Sequence, residues 1–251
     1  MPGDFKIYLF ERGTAAPKEL DDFPNQIEAN DFLWINASKV NIEVEQYFYE
    51  NETIDINAVA FLFQEKKISE LDFGDDYFTI ATSGYHSTPD YFSIKEYRFR
   101  IFVNEEHVVM LNDIGFMGLE DMNIVMTKDR SLKSTSSLFA WLLEIIVRNQ
   151  RLQISHIVNK YDTLLNQSAK LENRFQGYEF EELENENKKT LAILRQLNQD
   201  SQSILSAKYK WVDPESAHLI ANSVARLTKI EENFAPKMAK KKSKFFGRFI
   251  H

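Results

Sequence analysis

The chain has 251 residues, 30 Lys/Arg against 38 Asp/Glu, 43% hydrophobic residues and no cysteine. That excludes disulfides, cysteine-based zinc sites and thiol nucleophiles, and it sets the chain apart from disordered sequences of low hydrophobicity. The acidic excess argues against nucleic-acid binding, because neutralising phosphates needs a basic surface.

The first half mixes strand and helix patterns. The N-terminus lacks the charged-then-apolar order of a signal peptide. Phe5–Phe10 alternates as a strand, and Phe32-Leu-Trp-Ile-Asn36 reads as a short buried strand. Asn41 to Gln64 reads as one or two helices, with Val44, Phe48, Val59, Leu62 and Phe63 on apolar faces. Ile68–Phe73 leads through Gly74-Asp75-Asp76 into Tyr77–Thr82, a hairpin by its turn chemistry. A loop is predicted over Ser83–Pro89. Tyr97–Val103 then turns at Asn104–His107 into Val108–Leu111, with Arg98 and Arg100 on the face opposite Phe99, Ile101 and Val103.

Near residue 130 the period becomes helical. Ser134–Ser137 offers N-cap hydroxyls ahead of Leu138, Leu142 and Ile145. Leu138–Val147, interrupted by Glu144, is about half the length a membrane span requires. Ile157, Tyr161, Leu164, Ser168, Leu171 and Phe175 keep 4-3 spacing, which predicts one long helix from 134 to 175 with coiled-coil-like packing. Gly177 breaks the pattern, and Glu179, Glu181, Glu182, Glu184 and Glu186 make an acidic tip. A return helix is predicted from 182 to 208, with Leu194, Leu197, Ser201, Ile204 and Lys208 in register. Asp213-Pro214 opens a third helix, with Asp213 as N-cap and Pro214 at the first helical position, and Pro236 closes it. Ile220, Val224, Leu227, Ile230 and Phe234 line that helix and offer a seam, either for self-association or for packing on the chain's own hairpin. The expected division is a mixed α/β subdomain over 1–130, a long-helix subdomain over 131–236 and a basic aromatic tail over 237–251.

The tail holds six Lys/Arg and no acid, so the preceding 236 residues carry 24 basic against 38 acidic side chains, a net of −14. Lys237, Lys240, Lys241, Lys242, Lys244 and Arg248, with Phe245, Phe246 and Phe249, form a candidate anchor for an anionic membrane surface or a protein partner. The alternatives are a solubilising terminus and a tail that docks on the acidic body.

In their order, these phrases resemble the cytoplasmic domain of the CorA-type magnesium channel family, including its zinc-transporting relatives. Phe32-Leu-Trp-Ile-Asn36 is similar to the family's early Trp-bearing strand. Ile68–Ile80 is similar to strands written around an acid-Tyr-Phe phrase, and Glu96–Met110 to the hairpin carrying an apolar "FLITV" strand. Ser137–Asn149 resembles the start of the long helix, and Leu191-Ala-Ile-Leu-Arg195 the opening of the return helix. The family's Gly-Met-Asn signature and both of its membrane helices are absent from this sequence.

The resemblance implies an α+β fold: a mixed sheet with helices, then a long antiparallel helical hairpin and a further helix. It also implies a regulatory or ion-sensing role without conduction, a ring of five subunits, a membrane subunit as partner, and a place in the cytoplasm at the inner face of a membrane. Two alternatives are an oligomeric scaffold whose tail binds membrane or protein, and the excised cytoplasmic part of a channel. Family domains sense divalent ions such as Mg2+ with carboxylates between subunits, and hard oxygen ligands suit that ion. By chemistry alone the candidates here are Asp72, Asp75, Asp76, Glu231 and Glu232, although turn formation is the favoured reading of Asp75 and Asp76. The histidines at 86, 107, 156, 218 and 251 show no metal-ligand spacing, and no phosphate loop or nucleophile motif occurs, so no enzymatic activity is expected.

Overall fold

The structure is a computed structural model that describes residues 5–12, 14, 17–38, 41–51, 54–63, 70–87, 94–112, 132–168 and 175–247. Seven strands form one sheet in the order β2-β1-β3-β7-β6-β5-β4. They are β1 (Phe5–Phe10), β2 (Lys18–Leu20), β3 (Phe32–Ser38), β4 (Glu70–Phe73), β5 (Phe78–Ser87), β6 (Ile94–Val103) and β7 (His107–Asn112). Only β3 and β7 pair in parallel; every other neighbouring pair is antiparallel.

The parallel pair sits in the middle of the sheet and is covered on both faces, which explains its unbroken apolar runs. Phe32 and Trp34 of β3 join Val108 and Met110 of β7 in one core. Leu33, Ile35 and Ala37 join Val109 and Leu111 in the other. The second core is closed by two short helices, α1 (Ile42–Glu50) and α2 (Ile56–Phe63), through Val44, Phe48, Ala58, Val59 and Leu62. Asn41 caps α1 by accepting from the N–H groups of Glu43 and Val44. Arg100 points to this side, as its alternation predicts, and donates to the Leu62 carbonyl at the end of α2 at 2.7 Å.

Three long helices cover the first core: α3 (Thr135–Ser168), α4 (Phe175–Ala207) and α5 (Pro214–Gly247). Glu144 and Asp162 of α3 meet Arg226 and Lys241 of α5, so these two run parallel. Arg195 and Asn198 of α4 meet Glu231 and Thr228 of α5 in reverse order, so α4 is antiparallel to both.

The α3 and α5 N-termini converge on one carboxylate. Ser134 caps α3 by accepting from the Ser137 N–H at 3.2 Å. Asp213 caps α5 by accepting from the Ser216 N–H at 2.8 Å. The hydroxyls of Ser134 and Ser136 both donate to Asp213 Oδ2 at 2.8 Å, and that of Ser216 at 2.7 Å. Burial opposes ionisation of Asp213, but the hydrogen bonds from Ser216, Ser136 and Ser134 prevail and hold its carboxyl at about 2.

Several boundaries differ from the sequence expectations. β5 runs through Ser87 because ten consecutive residues pair with β6, so Ser83–Ser87 is strand and not loop. The expected helix to 175 is observed to Ser168, and residues 169–174 lie outside the described residues, as do Ile68 and Ser69. Gly177 does not break α4, and the expected acidic tip is helical. Phe180 and Leu183 are buried there, and each buried side chain of that size contributes about 1.5–3 kcal/mol, against about 1 kcal/mol lost at a helical glycine.

Pro236 does not close the last helix either. It lies on the exposed side of α5, while Phe234 and Met238, each 2% exposed, carry the buried stripe past it. The expected seam residues Ile220, Val224, Leu227 and Phe234 are buried within the chain's own core, with Ile230 packed against them. That is the intrachain packing left open above.

Candidate acidic sites and the basic end of the bundle

The β4–β5 turn positions three of the candidate carboxylates. Gly74 donates to the Tyr77 carbonyl at 3.0 Å. A Cβ there would meet the Tyr77 ring at 2.5 Å, so any larger residue would force that ring to move. Asp72 accepts from the Tyr77 hydroxyl at 3.2 Å, while Asp75 and Asp76 are exposed.

The turn is fastened to the α4–α5 connector. Trp211 Nε1 donates to the Asp76 carbonyl at 3.0 Å, and the Tyr209 hydroxyl to the Tyr77 carbonyl at 2.9 Å. Trp211 stacks on Phe78 and Tyr209 with ring centroids 5.8 and 5.2 Å apart. Burial, then the charges of Asp72 and Asp75, push the Tyr209 hydroxyl up to about 12. The acidic turn is thereby coupled, mechanically and electrostatically, to the segment that starts α5.

The other two candidates sit apart in role. Glu231 is held by Arg195 at 3.0 Å and accepts from Asn198 at 3.4 Å, whereas Glu232 is exposed. Among the described residues, no group of three or more His, Cys, Asp or Glu could by itself hold a metal ion. Mg2+ keeps several of its waters and commonly takes one or two protein carboxylates, so the hairpin aspartates fit its chemistry better than the arginine-paired Glu231.

Lys237, Lys240 and Lys244 are exposed on the last turns of α5. Lys241 instead pairs with Asp162, its side chain only 12% exposed. Lys242 pairs at 2.5 Å with Glu184, which also accepts from the buried Tyr161 hydroxyl. Burial disfavours the Glu184 carboxylate, but Lys242 and Tyr161 outweigh it and lower its pKa. Lys160 joins the same end of the bundle through Glu186 at 3.2 Å. Phe245 and Phe246 fall on the final turn of α5, and Arg248 and Phe249 lie outside the described residues. Sequence reasoning missed Met238 and the inward turn of Lys241, although 234, 238 and 241 continue the stripe at 4-3 spacing.

His107 opens β7 and is fully buried. Its Nδ1–H donates to Asn104 Oδ1 at 3.3 Å, which leaves Nε2 to accept from the Tyr47 hydroxyl at 2.9 Å. Burial pushes the imidazole down to about 4, so it is neutral at physiological pH.

A mixed seven-stranded sheet between two short helices and a three-helix bundle is the architecture of CorA-type cytoplasmic domains. The soluble domain of CorA from Methanocaldococcus jannaschii superposes with a TM-score of 0.73 at 13% identity, covering 98% of this chain and 97% of that one. The complete CorA magnesium transporter from the same organism gives a TM-score of 0.76 at 10% identity, over 98% of this chain and 76% of that one. The ZntB cytoplasmic domain from Vibrio parahaemolyticus RIMD 2210633 gives 0.73 at 13% identity, over 96% of each chain. No family model and no curated protein matches the sequence. Among the described residues, no helix is long and apolar enough to cross a membrane.

Proposed function

We propose that this chain is a CorA-like regulatory protein, an ion-sensing and non-enzymatic oligomer related to magnesium or other divalent-cation transport. The observation that carries the reading is the coextensive fold: the match spans nearly all of this chain and nearly all of the isolated CorA and ZntB domains. The acidic β4–β5 turn, tied to the start of α5, supplies a route by which a bound divalent cation would alter the long helix. Sedimentation velocity with and without Mg2+ tests it. The reading expects an assembly whose size or stability changes with millimolar Mg2+ and not with matched ionic strength; a species indifferent to both contradicts it.

A second reading is favoured by one observation, the exposure of Lys237, Lys240 and Lys244 on the last turns of α5. There the chain is an oligomeric scaffold whose basic tail meets an anionic membrane or a protein partner. Sedimentation with anionic vesicles at low salt, using intact protein and a 237–251 deletion, tests the membrane form of it.

A further inference from the structure

On the side of the sheet away from the bundle, α1 and α2 present an outer face with an unusual composition. Ile42, Tyr49 and Ile56 are 76%, 53% and 59% exposed, among the most exposed large apolar side chains in the protein. Ile42 and Tyr49 are seven residues apart and therefore share one face of α1, and Ile56 opens α2 after a short connector. Exposed Glu43 and Glu50 flank them with the same seven-residue spacing. Between Lys39 and Lys66 the sequence holds six acids and no Lys or Arg. An apolar set within a wholly acidic segment suits a basic partner with apolar content.

The end of α5 has the complementary pattern. Lys237 and Lys244 are exposed, seven residues apart, with exposed Lys240 between them. Two turns of helix span about 10 Å, so Glu43/Glu50 and Lys237/Lys244 match in spacing as well as in sign. The lysines that end α5 do not reach that face of their own chain. Lys241 and Lys242 pin the end of α5 to α3 and α4, about 40 Å along the helix from Pro214, while α1 and α2 pack on the other side of the sheet.

We infer that the outer face of α1–α2 is the docking surface for the basic end of α5 of a second copy of this chain. The inference rests on the scaffold reading above and names its partner. The contact is heterologous, one patch against a different one, so repetition closes into a ring or extends as a filament.

The test mixes the intact protein with two charge-reversed forms, Glu43→Lys/Glu50→Lys and Lys237→Glu/Lys244→Glu, and follows mass by sedimentation velocity at low and high salt. All four positions are exposed, and circular dichroism verifies that each form folds. The expected result is concentration-dependent association of the intact protein that weakens at least tenfold between low and high salt. Each reversed form alone should lose association, and an equimolar mixture of the two should regain it. Carbodiimide cross-linking of mixed light and heavy-isotope protein should join Lys237, Lys240 or Lys244 to Glu43 or Glu50 between copies. Association untouched by either reversal, or a monomer at every concentration, overturns the inference. So does loss of anionic-vesicle binding in the lysine-reversed form while the Glu43→Lys/Glu50→Lys form associates like the intact protein, an outcome that leaves the scaffold reading standing with a membrane partner.

Discussion

Asp213→Asn probes the junction on which the bundle is built. The wild-type carboxyl is held at about 2 against an ordinary aspartate value near 3.9, and a gap of about two units corresponds to about 2.5 kcal/mol. The sign follows from the direction of the shift. A carboxylate whose native pKa is depressed stabilises the fold above its unfolded pKa, and that stability is lost as pH falls through the native value. Asparagine keeps one oxygen for the Ser216 N–H, but its amide nitrogen cannot accept from the hydroxyls of Ser134, Ser136 and Ser216. Urea unfolding followed by circular dichroism should therefore show the variant about 2 kcal/mol less stable at pH 7. The gap should narrow between pH 4 and pH 2, where the wild type loses the contribution. A gap below about 0.5 kcal/mol at pH 7, or one that stays constant down to pH 2, would refute the shared-cap argument.

Three further outcomes follow from buried polar groups. Asp200 is 3% exposed, burial pushes it up to about 6 despite a hydrogen bond from Gln196, and its Oδ2 has no partner. Asp200→Asn should thus stabilise the protein by about 2–3 kcal/mol at pH 7 and by nothing below pH 4, measured by urea unfolding at both values. Glu184→Leu leaves the buried Tyr161 hydroxyl without its acceptor and Lys242 without its partner, and should cost about 1–3 kcal/mol. A double-mutant cycle with Tyr161→Phe should return a coupling of about 1 kcal/mol or more, and additive effects would show that the contact is idle. His107, held down to about 4, should show no NMR titration between pH 5 and pH 8; a midpoint near 6.5 would mean that the Tyr47–His107–Asn104 chain does not form.

Much of the fold was legible because strong periodicities coincide with real cores. The run Phe32-Leu-Trp-Ile and the hairpin around Asn104 lie where two faces are buried, and the capping residues Ser134 and Asp213 carry their chemistry locally. Breaker residues misled where tertiary contact prevailed. Gly177 and Pro236 both lie inside helices, because Phe180, Leu183, Phe234 and Met238 supply more burial than the breakers remove. β2 escaped notice because three residues, Lys18–Leu20, on a sheet edge carry no pattern. The candidate carboxylates were chosen by residue type alone. Sequence could not show that Glu231 is occupied by Arg195, or that Trp211 and Tyr209 reach 135 and 132 residues back to the acidic turn.

The central claim, that this CorA-like chain senses a divalent cation through its acidic turn, is tested most directly by thermal unfolding in a Mg2+ titration. Wild type is compared with Asp75→Asn/Asp76→Asn, whose side chains are exposed and outside the core. A ligand at a hundred times its dissociation constant adds about 2.7 kcal/mol, which moves the midpoint of a protein this size by several degrees. The account predicts a saturable rise in Tm for the wild type that NaCl of equal ionic strength does not reproduce and that the double variant loses. A Tm indifferent to Mg2+, or an equal rise in both proteins, would contradict it.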